Sequence, residues 1–197
     1  EIVYSSHCLE HLDDATVDRV MTEARRMCRG HLVLKLTDFD EVLLRWTGGD
    51  SEYFNHWGMN GVVKTWRSAG VEDTIDTRAS MIFCGWWNDA YGDEWGNRNP
   101  EAQGAYHGPA RAGVWSHKAA LQSALTSGPH WLADSLRLSV PDGGHLNHQN
   151  AWSRKELQAL IERHGFRVLS LAPKDAQAFP IPGIKDQEGI SMYAVAE

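Results

Sequence analysis

Apolar positions are ordered at the two ends of the chain and scattered in its middle. Ile2-Val3-Tyr4 is short, β-branched and aromatic, and reads as the end of a buried strand. Ser5 to Leu12 reads as a turn entering a helix, with Asp13 or Asp14 as N-cap of the next one. From Val17, the residues Val17, Val20, Met21, Ala24 and Met27 or Cys28 recur at helical spacing. Arg25, Arg26 and Arg29 complement the helix dipole near its end, and Gly30 is the expected C-terminal cap. His31 to Leu36 is a second, largely apolar strand that ends at Thr37-Asp38. The order predicts a strand–helix–strand unit with parallel strands and a right-handed crossover.

The carboxyl-terminal end carries equally local signals. Ser153-Arg154-Lys155-Glu156 is a capping box, with Trp152 and Leu157 placed as a hydrophobic staple. The helix it opens buries Leu157, Leu160 and Ile161 and stops at Gly165. Phe166 to Leu171 predicts a strand, and a loop from Pro173 to Gly189 leads to a last strand, Ile190 to Val195.

Between Phe39 and Gly144 the pattern is weaker. Helices are predicted for Thr77 to Asn88, Ser116 to Thr126 and His130 to Leu138. Gly48-Gly49, Gly92 to Pro100, Gly108-Pro109 and Asp142-Gly143-Gly144 predict loops. Nine tryptophans occur in the chain, eight of them between Trp46 and Trp131. The organisation that follows is an α/β core of residues 1–38 and 145–197, with 39–144 as a Trp-rich, mainly helical insertion.

The length of 197 residues fits one domain with a large insertion, and 42% hydrophobic with 23% charged residues is a globular composition. Acidic residues outnumber basic ones, for a net charge of −7, which argues against nucleic acid as the main partner. No apolar run approaches the roughly 20 residues of a membrane span, and no leader suggests secretion. Cys8, Cys28 and Cys84 are odd in number and lack CxxC spacing, so neither a disulfide framework nor a cysteine zinc site is indicated. A cytoplasmic protein is the expectation. The chain opens at Glu1 directly into an apolar stretch, which reads as a chain missing its natural beginning.

The run Ile2-Val-Tyr-Ser-Ser-His-Cys-Leu-Glu-His-Leu-Asp-Asp14 resembles the end of strand four in class I S-adenosylmethionine-dependent methyltransferases. The later order is similar too: helix, strand, insertion, then Trp152-Ser-Arg-Lys-Glu-Leu to Gly165-Phe-Arg-Val and two closing strands. The resemblance covers residues 1–38 and 145–197. It implies a partial Rossmann-like sheet of strands four to seven, with the seventh antiparallel between five and six. The family's glycine-rich cofactor turn belongs to earlier strands, and no GxGxxG occurs in this chain. The implied protein is therefore the C-terminal part of a catalytic domain. Its implied activity is methyl transfer from S-adenosylmethionine to a small-molecule acceptor. The alternative is a non-catalytic binding or assembly module that keeps half of the fold.

Ser5, Ser6 and His7 follow the end of a parallel strand, where open α/β sheets place ligands. By resemblance, Ser5, Ser6, His7 and Glu10 border the cofactor. The plainer reading makes this a polar turn, with Glu10 accepting backbone N–H bonds and His11 packing under the sheet. His7, His11, His145 and His148 are the candidates for proton transfer, because an imidazole suits removal of a proton from a hydroxyl or amine. The loop of His145 and His148 precedes the helix near the substrate side in similar enzymes, while the plainer reading of either one is a solvated loop histidine. His7 with His11, and His145 with His148, also have the spacing of helix-borne zinc ligands, but no HExxH occurs and no metal is expected. Trp86, Trp87, Tyr106 and His107 combine aromatic bodies with polar tips suited to a flat or sugar-like acceptor, and Arg78 to an acidic group on it. The insertion is expected to close over the carboxyl ends of the strands. The strand at Ile2 to Tyr4 is expected to lie at an open edge and to favour a homodimer or self-association, as no Pro or Lys protects residues 1–6.

Overall fold

The computed structural model describes residues 2–55, 72–84, 116–133, 148–173 and 191–197. The chain divides into two compact units, Glu1–Glu41 with Asn150–Glu197, and Val42–Gln149.

The first unit is an α/β structure with a four-stranded mixed sheet, compatible with a Rossmann-like fold. Its strands are β1 (Ile2–Ser6), β2 (His31–Thr37), β3 (Val168–Pro173) and β4 (Ser191–Ala196). They lie in the order β1-β2-β4-β3. β1 and β2 are parallel, with Tyr4 opposite Val33. β4 is antiparallel to both neighbours, with Thr37 opposite Ser191 on one side and Val168 opposite Ala196 on the other. The parallel β1–β2 pair is the one the strand–helix–strand unit predicts.

Burial explains the placement of the strands. β2 is buried from Leu32 to Thr37 and β4 along its whole length, so both are central and covered on both faces. Lys35, the one charge inside β2, is buried with its ammonium 5.7 Å from the centre of the Tyr193 ring. β1 alternates exposed and half-buried positions, with Ile2 51% and Tyr4 36% exposed, and is an edge strand of the described sheet.

Two helices cover one face of the sheet. α1 (Asp14–Met27) buries Val17, Met21 and Ala24, one stripe at helical spacing. Leu157, Leu160 and Ile161 are the buried stripe of a later helix, Arg154–Arg163. Both stripes join Leu32, Leu34, Leu36, Met192, Ala194 and Ala196 in a single core cluster. Asp13 caps α1, its side chain accepting from the Thr16 N–H at 2.7 Å. The expected cap at Gly30 is corrected: the helix ends at Met27 and Cys28, already extended, is its C-cap. With only Arg29 and Gly30 left before β2, the chain turns without a left-handed residue. Val20 and Met27 are exposed, whereas Cys28 is buried.

In the second unit, the described residues outside the loops are helical. α2 (Phe39–Thr47) begins in the first unit and continues into this one; α3 is Ser51–Asn55, α4 Ile75–Cys84 and α5 His117–Ser127. The Arg154–Arg163 helix is α6. Gly49 takes a left-handed φ of 66°, and Asp50 then caps α3 through the Tyr53 N–H at 3.0 Å. α4 packs against α3 and α5 around Phe54, Ile82, Phe83 and Leu121. Residues 129–133 are helical as well. The rest of the helix expected over His130 to Leu138, and the loops expected at Gly92 to Pro100, Gly108-Pro109 and Asp142-Gly143-Gly144, lie outside the described residues. Among the described residues no helix is long and apolar enough to cross a membrane.

A candidate site at the carboxyl ends of β1 and β2

β1 and β2 run in parallel and end together at Ser6 and Thr37, and the antiparallel β4 begins beside them at Ser191. Polar side chains collect there. His7 follows β1 directly, and its N–H continues the ladder by donating to the Lys35 carbonyl at 2.8 Å. Its φ of 44° is left-handed, and it is the only described non-glycine residue there. Such a backbone persists when the surroundings hold it, and it gathers at functional sites.

What holds it is visible. After His7 the chain enters a 3-10 turn, Leu9–His11, in which Leu9 and Glu10 are fully buried. Oε1 of Glu10 accepts the Thr37 N–H at 2.9 Å, tying this turn to the end of β2. The same oxygen lies 3.4 Å from Nδ1 of His7. On the other side of the ring, Nε2 of His7 is 3.1 Å from the hydroxyl of Ser191. Asn150 closes the turn from below: its N–H donates to the Glu10 carbonyl at 2.9 Å and its side-chain amide to the Leu12 carbonyl at 2.6 Å.

A charged cluster lies at the start of α2. Asp38 caps the helix, Oδ1 accepting the Glu41 N–H at 3.2 Å, while Oδ2 accepts from Arg154 at 2.6 Å. Asp40 accepts the Arg154 backbone N–H at 2.8 Å. Burial raises the Asp38 carboxyl above its usual range, although Arg154 and the Glu41 N–H draw it down. These contacts join α2 to α6 and make the cluster a structural clamp.

Of the residues singled out from sequence, Ser5, Ser6, His7 and Glu10 are brought together at this edge. Ser5 is half-buried and Ser6 exposed, and neither hydroxyl has a hydrogen-bond partner among the described residues. Glu10 does what the plainer reading assigned to it, accepting a backbone N–H. His11 is half-buried on the 3-10 turn. His7 precedes that turn, so the two histidines do not share a helix face. His148 is buried and belongs to the second unit. In that unit Arg78 is held by both carboxylate oxygens of Asp73, at 2.6 and 3.0 Å, and by the Phe54 carbonyl at 2.9 Å. Its guanidinium thus serves an internal pairing rather than standing open to an acidic ligand. His145, Trp86, Trp87, Tyr106 and His107 lie outside the described residues.

Sequence reasoning missed Ser191, Thr37, Asp38 and Arg154. Ser191 lies 184 positions from His7, and no local signal links them. An acid at Glu10 directly after the apolar Leu9 was the one available hint of a buried, bonded carboxylate. The chain matches no protein-family model, no curated protein and no solved structure.

Proposed function

We propose that the chain carries the strand-four-to-seven half of a class I S-adenosylmethionine-dependent methyltransferase and serves methyl transfer to a small-molecule acceptor. The observation that carries this reading is the sheet order β1-β2-β4-β3 with β4 antiparallel between β2 and β3. That arrangement is the one the resemblance implies for strands four, five, seven and six. The polar turn that resembles the family's lies at the carboxyl end of β1, where ligands sit in such sheets.

Support for a cofactor at this end comes from the hydroxyls that close β1. Ser5 and Ser6 present hydroxyls without protein partners among the described residues, each able to donate one hydrogen bond and accept two. When bound, the cofactor supplies an electrophilic methyl group on a positively charged sulfur. The chain's own contribution is position: Glu10 pins the turn to Thr37, so Ser5, Ser6 and His7 stay in register with the end of β2. A fixed edge of this kind aligns an acceptor. Trp86, Trp87, Tyr106 and His107 remain the proposed acceptor-binding set on the sequence alone.

Calorimetric titration of the folded chain with S-adenosylmethionine and with its demethylated product tests the reading. Saturable binding of both, weakened in a Ser5→Ala/Ser6→Ala double variant, is the expected result. A folded chain that binds neither would instead be a non-catalytic module retaining half of the fold.

A further inference from the structure

β1 ends the described sheet on one side, and its ladder shows which backbone groups face outward. His7 donates its N–H to the Lys35 carbonyl of β2, and along a strand the residues turn their N–H and C=O groups to alternate sides. Val3 and Ser5 therefore bond to β2, while Ile2, Tyr4 and Ser6 direct theirs to the open side. Among the described residues these outward groups have no partner. No Pro, Lys or bulge shields the stretch, and residues 2–6 carry no charge in a chain of net charge −7. β3, at the other edge, has both a register shift between Val168 and Ser170 and a proline, Pro173.

Exposed apolar side chains gather beside the β1 edge on both faces of the sheet. Val3 packs against the core cluster that α1 and α6 cover, so Ile2 and Tyr4 stand on the opposite face, and both are exposed. On α1, Asp18 and Arg25 lie to one side of the buried stripe of Val17, Met21 and Ala24. They mark the flank toward α6: Asp18 accepts from Arg163 at 2.5 Å, and the Arg25 guanidinium lies 5.1 Å from the centre of the Phe166 ring. α6 packs on β3, so this flank points away from β1. Val20 and Met27 share the other flank, toward β1, and both are exposed. Of the large exposed hydrophobic residues described in this unit, only Leu169 lies elsewhere. Arg19, Glu23 and Arg26 are exposed on the same helix and carry both signs of charge.

We propose, independently of the methyl-transfer reading, that this edge is the interface of a two-fold homodimer in which β1 pairs antiparallel with β1 of a second copy. The edge is complementary to itself. With Tyr4 opposite Tyr4 of the second copy, Ile2 faces Ser6, and every outward N–H and C=O finds a partner. On one face the two Tyr4 rings cover each other and Ile2. On the other face the two α1 helices run antiparallel, so the stripe of Val20 and Met27 meets its own equivalent. Glu23 then pairs with Arg19 or Arg26 of the second copy. The uncharged strand lets two chains of the same net charge meet at the axis without repulsion.

Light scattering and amide hydrogen exchange on the full chain, over a concentration series, test it. A monomer–dimer equilibrium is expected. The Tyr4 and Ser6 amides should become protected as the dimer forms, whereas β2 protects those of Val3 and Ser5 at every concentration. Tyr4→Lys and Met27→Glu should each raise the dissociation constant by about 30-fold or more, as loss of a central contact residue does. Leu169→Lys, at the opposite edge, should leave it unchanged. A chain that stays monomeric throughout, an open series of larger oligomers, or a dimer whose Tyr4 and Ser6 amides exchange freely overturns the proposal. Should a variant fail to fold, the exchange pattern of the unaltered chain decides by itself.

Discussion

Arg154 and Asp38 meet at 2.6 Å although 116 positions separate them in the sequence. Asp38 is 1% exposed and also caps α2, while the Arg154 backbone N–H reaches Asp40. Burial pulls the Arg154 pKa down, but its bond to Asp38 and the charges of Asp38, Asp40 and Glu41 outweigh that and hold it above its ordinary value. The start of α6 is thereby clamped to the junction between β2 and α2.

Removing the guanidinium leaves a buried carboxylate with one backbone donor. Arg154→Ala is expected to cost about 1–3 kcal/mol, less than the roughly 3–5 kcal/mol of a fully buried pair because part of Arg154 is in solvent. Urea unfolding measures it. The sign of the pH dependence follows from burial, which raises Asp38 above its ordinary 3.8 in the folded state. The folded state then holds the proton more tightly than the unfolded chain. Its contribution to stability is full below the ordinary value and is lost as pH rises through the folded one. Asp38→Asn keeps an oxygen for the Glu41 N–H and should flatten this part of the stability curve.

His117 behaves oppositely. Burial lowers its pKa below the ordinary 6.5, and the charge of Asp76 only partly offsets this. Its Nδ1 is bonded to the Ser80 hydroxyl, and Asp76 accepts the Trp46 indole N–H at 2.7 Å. The unfolded chain takes up the proton first, so this stability is present above 6.5 and is lost as pH falls through the lowered folded value. Thermal melts of wild type and His117→Asn across that range check it. The variant should show the shallower slope.

α6 owes its length to both caps. Gly165 takes a φ of 80°, with its N–H on the Glu162 carbonyl at 3.0 Å and the Phe166 N–H on the Ile161 carbonyl at 3.4 Å. A Cβ on Gly165 would meet nothing closer than Arg25 Nε at 3.6 Å. Gly165→Ala therefore costs only the left-handed backbone, about 1–2 kcal/mol. Ser153→Ala removes the capping box at the other end, for about 1 kcal/mol. The ends share no partner, so the double variant should lose about the sum in denaturant unfolding.

Glu10 separates charge from hydrogen bonding. Glu10→Ala strips the Thr37 N–H of its acceptor and is expected to cost about 1.5–3 kcal/mol. Glu10→Gln keeps an oxygen for that N–H and should lose much less. Hydrogen exchange at the Thr37 amide distinguishes the two: it should accelerate strongly in the alanine variant and little in the glutamine one.

Where partners lie within a few residues, the sequence alone determines the outcome. The Asp13 cap, the capping box of Ser153 and Glu156, and the turn at Gly165 are each closed by bonds to residues three to five positions away. The continuous apolar runs of β2 and β4 identify central strands for a similar reason, since such a run cannot leave a face in water. Gly30 misled because a cap also depends on where the next strand must start. The candidate site is different in kind. His7 meets Ser191, and Glu10 meets Thr37, only because the sheet order sets the ends of β1, β2 and the start of β4 side by side. Local periodicity predicts each strand but contains no term for which strands become neighbours. That choice is made by burying Leu34, Met192, Leu157 and their cluster together, and it brings an ordinary-looking serine from the far end of the chain to the ring of His7.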